Sequence, residues 1–257
     1  MSELLTSTLF NPRIASMQPS ATLAMSGRAK QLRREGRPVI ALSAGEPDFD
    51  TPAPIAEAGI AAIREGFTRY TQNQGMVDLR ERISQKFERD NGLDYAPGQI
   101  LCSNGAKQSV ALAVAVLSGD GDEVVIPAPH WVSYPEMARF AGATPVAIST
   151  DVDTDYRITP EMLEAAITDK TRLLIHCSPS NPTGSVYPKA EAEALAEVLR
   201  RHEQVYVISD EIYEHVIYDA EHVAFAGLPG MKERTITVNG FSKCYACLLY
   251  TSDAADE

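Results

Sequence analysis

Apolar positions along the chain fall into two alternating rhythms. Short β-branched or apolar runs at 39–42, 99–103, 123–126, 145–148, 172–177, 205–209 and 235–238 have the length and punctuation of strands. Between them, apolar residues recur three or four apart, which predicts helices at 23–35, 54–66, 77–91, 106–117, 133–140, 160–167 and 188–202. Ser20 precedes the first helical pattern, Gly36 closes it, and Asp50 or Thr51 stands near the cap of the second. Strands alternating with helices imply βαβ units, hence an α/β fold with a mostly parallel sheet covered by helices on both faces. Ligands of such sheets bind beyond the C-terminal ends of the strands.

The residues after each run therefore carry the chemistry. Ser43-Ala44-Gly45-Glu46-Pro47 follows the first, with a glycine where backbone can approach a ligand. Asn104-Gly105-Ala106-Lys107 opens a helix, whose free N–H groups and positive dipole end suit an anion. Trp131, the single tryptophan, stands at a strand end where it could stack on a planar ring. Asn181 lies within Ser178-Pro179-Ser180-Asn181-Pro182-Thr183-Gly184, a fixed turn with an amide to offer. Asp210 directly follows a hydrophobic strand, where a carboxylate is costly unless paired, and Tyr213 is three residues further on. Lys243 follows the last strand; a desolvated lysine can form a Schiff base. Taken alone, Lys243 reads more readily as an exposed lysine, Trp131 as a core aromatic and the Gly45 segment as an ordinary turn. The helix start at Asn104 suits one without a ligand just as well, whereas the 178–184 turn is too ordered in composition to be a casual loop.

Composition narrows the classes. The 257 residues are 44% hydrophobic, enough for a sizeable core, and the net charge of −12 leaves no basic footprint for nucleic acid or an anionic membrane. No apolar run approaches the roughly 20 residues a membrane span needs. The N-terminus lacks the basic and apolar segments of a signal peptide, so a cytoplasmic location with reduced thiols is expected. Cys102, Cys177, Cys244 and Cys247 have neither a disulfide framework nor metal-ligand spacing, and no metal is expected. Neither GxGxxG nor GxxxxGK[ST] is present.

Together, Ser43–Phe49, Asn104–Lys107, His130-Trp131-Val132-Ser133-Tyr134, the Ser178–Gly184 turn, Ser209-Asp210-Glu211-Ile212-Tyr213 and Asn239-Gly240-Phe241-Ser242-Lys243 resemble the fold-type I pyridoxal-phosphate (PLP) aminotransferases of class I/II. The likeness is strongest to the bacterial aspartate, prephenate and aromatic subgroup, and it spans about 7–246. It implies a seven-stranded-type sheet between helices. Residues 1–42 would be an N-terminal arm with part of a small domain, and 43–246 an incomplete PLP-binding large domain. Lys243 is implied as the Schiff-base lysine that also moves the substrate Cα proton, and Asp210 as the partner of the pyridine nitrogen. Asn181 and Tyr213 are implied as donors to the ring oxygen, Trp131 as the stacking ring, and Ala106 and Lys107 as part of the phosphate cradle. Tyr70 matches a tyrosine that reaches the neighbouring subunit's phosphate, which implies a homodimer. Gly45, Lys107, Trp131 and Asn181 are implied substrate contacts. Lys107 on a distal carboxylate favours aspartate with 2-oxoglutarate, and extends to prephenate. Arg13 and Thr71 match positions where related enzymes adjust substrate choice.

The sequence departs from this pattern after Ala246. The arginine that would hold the phosphate shortly after the lysine is absent, as is the later arginine that would clamp the substrate α-carboxylate, and most of the small domain is missing. Residues 247–257 can be back-translated into a transposase-type sequencing adapter and are expected to be foreign to the gene. A catalytically inactive fragment is thus one alternative; a C–S lyase or decarboxylase of the same fold is another.

Overall fold

A computed structural model describes residues 11–247, so the expectations for 1–10 and for the tail beyond Cys247 lie outside the described residues. The helices are α1 (Pro12–Ala15), α2 (Ala21–Arg34), α3 (Ala53–Arg64), α4 (Val77–Asn91), α5 (Gly105–Leu117), α6 (Ser133–Ala141), α7 (Pro160–Ala166) and α8 (Lys189–Arg201). The strands are β1 (Glu123–Ala128), β2 (Thr144–Ser149), β3 (Thr171–Cys177), β4 (Tyr206–Asp210) and β5 (Thr235–Val238), all parallel, in the order β2-β1-β3-β4-β5. Among the described residues no helix is long and apolar enough to cross a membrane.

Strand alternation splits the core in two. Val125, Leu174 and Val207 face α7 and α8, where Leu163, Leu195 and Leu199 are fully buried. Val124, Ile126, Leu173, Ile175 and Ile208 face α5 and α6 and pack on Val110, Val114 and Ala138. Because both faces are covered, the central strands read as unbroken apolar runs. Residues 11–18 dock along α6: Arg13 donates to the Ala141 carbonyl at its far end (3.2 Å) and to Asp120 Oδ2 (2.6 Å), and the Gln18 N–H donates to Glu136 Oε2 in its first turn (3.0 Å).

Three local expectations are corrected. Residues 39–42 are irregular, with Ile40 and Leu42 exposed, and 99–103 do not join the sheet. A strand is defined by its ladder, and here the Cys102 N–H goes instead to the Gln74 carbonyl (3.0 Å), after a 3₁₀ turn at Pro97–Gln99. Neither Asp50 nor Thr51 caps α3: Pro52 occupies the cap position, and the Thr51 hydroxyl donates to the Ala246 carbonyl.

The 70–75 loop is held against 97–103 by Arg80. Its buried guanidinium donates to the carbonyls of Gly75 (3.1 Å) and Pro97 (2.8 Å) and to Gln72 Oε1 (3.1 Å). Gly75 has φ +98°, and a Cβ there would stand 2.7 Å from both Cβ and Sγ of Cys102. Gly75→Ala combines overpacking with a left-handed backbone penalty and is expected to cost about 2 kcal/mol by chemical denaturation. An unchanged denaturation midpoint would mean that the loop is not clamped.

Candidate functional site

The C-terminal ends of β1, β3, β4 and β5 lie side by side, and register fixes what meets there. Cys177 pairs with Asp210 across β3 and β4, and Asp210 with Val238 across β4 and β5. Asp210 is the last residue of β4 and is 3% exposed. The Tyr134 hydroxyl donates to its Oδ2 (2.6 Å) and the Ile212 N–H to its Oδ1 (3.3 Å). Burial pushes the Asp210 carboxyl above its ordinary range; Tyr134 and Ile212 pull it partly back, and neighbouring Glu211 adds to the rise. Burial beside Asp210 likewise drives the Tyr134 phenol well above 10.

A second pair stands next to this carboxylate. Asn181 Nδ2 donates to Tyr213 Oη (3.3 Å), so the turn after β3 meets the turn after β4. The Asn181–Pro182 bond is cis, as are Ser178–Pro179 and Ala128–Pro129. On the α5 side, Gly105 (φ +80°) turns the chain into the helix, which puts the N–H groups of Ala106 and Lys107 in its first turn. Lys107 Nζ lies 5.4 Å from the Trp131 ring centroid, and Trp131 meets Tyr134 edge-on at 5.3 Å. These contacts run from the α5 N-terminus through Trp131 and Tyr134 to Asp210.

Lys243 is half-buried in the turn after β5. That turn is tied to the one after β4: the Glu211 N–H donates to the Val238 carbonyl (2.8 Å), and Cys244 Sγ to the Ile212 carbonyl (3.3 Å). Cys177 is no nucleophile here, because burial pushes its thiol up to about 12.

Asp210, Asn181, Tyr213, Trp131, Ala106 and Lys107 are therefore gathered by strand ends, with Lys243 on the adjoining turn. Tyr70 and Gly45 are exposed. Arg13 binds the C-terminal end of α6, beside the start of β2, at the opposite end of the sheet from Asp210. Tyr134 has the most direct contact with Asp210, and sequence reasoning gave it no role. Its signal was proximity in sequence: Tyr134 is three residues after Trp131 across the start of α6, and the two rings meet. Tyr134→Phe removes a donor from a buried carboxylate and is expected to cost about 1.5 kcal/mol in urea unfolding. It should also move the Asp210 titration further up; wild-type stability would show the hydrogen bond to be incidental.

The donor set fits PLP. A buried carboxylate suits a ring N–H⁺, an amide and a phenol can donate to a ring oxygen, a helix N-terminus suits a phosphate, an indole offers a stacking face, and a lysine can bond an aldehyde. The family profile for aminotransferase class I and II matches residues 37–248. The chain is 60% identical over 237 residues to a bifunctional aspartate aminotransferase and glutamate/aspartate-prephenate aminotransferase of Petunia hybrida, covering 92% of this chain and 50% of that protein. It is 48% identical to an aspartate/prephenate aminotransferase of Cereibacter sphaeroides, covering 90% of this chain and 58% of that one. The solved aspartate aminotransferase of Rhizobium meliloti superposes with a TM-score of 0.90 at 44% identity, over 94% of this chain and 61% of that structure. The chain thus spans about half to three fifths of the length of these relatives. With 212 consecutive residues matched, it belongs to the class I and II aminotransferases.

Proposed function

We propose that this chain carries the cofactor-binding part of a PLP-dependent aminotransferase. The reaction moves an amino group between an L-amino acid, aspartate or another dicarboxylic or aromatic one, and a 2-oxo acid such as 2-oxoglutarate. One observation carries the reading: Asp210 is a carboxylate buried at a strand end, and the groups that hydrogen-bond it, Tyr134 and the Ile212 N–H, are neutral. Such a site favours a cation of the right shape.

When bound, the cofactor supplies a covalent handle for the amino group and a ring that takes up the electrons left by the departing Cα proton. The residues of this chain do the rest. Asp210 holds positive charge at the ring nitrogen. Asn181 and Tyr213 donate at the ring oxygen, and their mutual hydrogen bond keeps both turned to one point. The α5 N-terminus holds the phosphate, and Trp131 covers one ring face. Lys243 would hold the cofactor through its amine and would move the proton at the substrate Cα. Lys107, next to Trp131, suits a distal carboxylate. Tyr70, fully exposed here, is assigned to the phosphate of a neighbouring subunit in a homodimer.

The test is an absorbance spectrum of the purified chain with added PLP, before and after borohydride, followed by peptide mapping. A visible band lost on reduction, with the label on Lys243, is the expected result. No band, with label spread over surface lysines, would overturn the reading. Half-reactions with aspartate, glutamate and phenylalanine would then rank the substrates.

A further inference from the structure

Behind the sheet lies a buried carboxylate that the proposed reaction does not use. Glu211 is 0% exposed and follows Asp210 directly. Its Oε1 accepts from Ser209 Oγ (2.8 Å) and the Phe225 N–H (3.1 Å), and its Oε2 pairs with His222 Nε2 (2.9 Å). Ligand-type atoms of Glu211, Glu214 and His222 lie within 4.8 Å of one another, but the carboxylates already have protein donors; Lys86 and Asn91 serve Glu214. The group is a hydrogen-bond bracket.

Strand alternation couples the two faces. Ser209 pairs with His176, whose ring packs 4.8 Å from Phe225 on the α8 side, whereas Asp210 pairs with Cys177 on the α6 side. The backbone between them is fixed at two points: the Glu211 N–H donates to the Val238 carbonyl (2.8 Å), and the Ile212 N–H to Asp210 Oδ1 (3.3 Å). Rotation about this segment breaks one or both.

We infer that Glu211 is a positioning residue for Asp210. The bracket of Ser209, Phe225 and His222 on its carboxylate locks the backbone from Asp210 to Ile212, and this aims the Asp210 carboxylate at a cationic ring nitrogen. The second half rests on the cofactor reading above; the first half does not. The bracket needs acceptors more than charge. A glutamine keeps one oxygen for Ser209 and Phe225 and turns its amide to His222, which can accept in the other tautomer. A methionine of similar length leaves all three donors unsatisfied.

Two readouts on the full 257-residue chain test this. Amide exchange by NMR follows the Ile212 N–H without any cofactor. Binding of 4′-deoxypyridoxine 5′-phosphate, which cannot bond to Lys243, reports affinity and, by its absorbance, ring-nitrogen protonation. Glu211→Gln should stay within about twofold of wild type in both. Glu211→Met should lose Ile212 protection while Ile208 keeps its own, and should bind the analogue about tenfold more weakly with a smaller protonated fraction. Ser209→Ala, which removes one donor, is the milder variant should methionine prevent folding, and should shift both readouts the same way. Wild-type Ile212 exchange in either folded variant, or equal damage from glutamine and methionine, overturns the inference. If wild type binds no analogue, the cofactor reading falls, and the exchange data still decide whether Glu211 locks the segment.

Discussion

Asp210→Asn should make the empty chain more stable and, at the same time, cripple cofactor binding. Burial raises the Asp210 carboxyl above its ordinary range, with the Tyr134 hydroxyl and Ile212 N–H only partly offsetting this. The sign follows from linkage. Between the ordinary value of 3.8 and the raised native one, the folded chain binds more protons than the unfolded chain, so stability falls as pH rises through that window. Above the window the cost persists. Asparagine removes it without losing the contacts: its oxygen takes the Ile212 N–H, and its amide donates to the Tyr134 oxygen, which can accept. At neutral pH the variant should unfold at higher denaturant than wild type, and the gain should vanish in acid.

Cofactor binding should move the other way. Truncating one partner of a buried, hydrogen-bonded charge pair costs about 2–5 kcal/mol, roughly a 30-fold to several-thousand-fold loss of PLP affinity. Equilibrium dialysis reads the loss directly. A variant that is both less stable and fully competent in binding would show that Asp210 is an ordinary structural carboxylate. The opposed signs are the diagnostic, because a residue kept for stability would lose both together.

How much of this was legible in the sequence depended on how local each cause is. The β3 and β4 ends, Asn181 in its Pro-flanked turn and Asp210 after an apolar strand all follow from patterns a few residues long. So do α4, closed by Gly92 at φ 65°, and α8, with Leu195 and Leu199 on one face. What was missed depends on partners far along the chain. Tyr134 has no role of its own in the sequence until Asp210, 76 positions away, receives its hydroxyl. Thr51 reads as a cap, yet its hydroxyl goes to Ala246, 195 positions away. Residues 39–42 and 99–103 have strand composition, but composition does not supply the neighbouring strand that a ladder requires.

The Lys86–Glu214 ion pair belongs to the same class and carries the second large effect. The two residues are 128 positions apart, and neither stands out by spacing. Glu214 is 5% exposed, and Lys86 donates to it and to Asn91 Oδ1 (2.8 Å), while Asn91 Nδ2 donates to the other Glu214 oxygen (2.8 Å). Burial pushes the Glu214 carboxyl up, but Asn91 and Lys86 outweigh it, and the net shift is downward. A depressed carboxyl contributes stability that is present above its ordinary 4.5 and lost as pH falls through the native value. Lys86→Met strands a buried charge with only part of its support and should cost about 3 kcal/mol at neutral pH. The loss should shrink in acid, where Glu214 is protonated in both proteins. Adding Glu214→Gln to Lys86→Met should recover part of the loss, because the coupling resides in the pair. The pair also ties α4 to the turn bearing Tyr213, so the single variant should weaken PLP binding although Lys86 is not among the proposed cofactor contacts. Unchanged denaturation with additive single effects would reduce the pair to a surface contact. Full stability loss with intact PLP affinity would separate the clamp from the Asn181–Tyr213 pair, and α4 would then brace the fold without bracing the site.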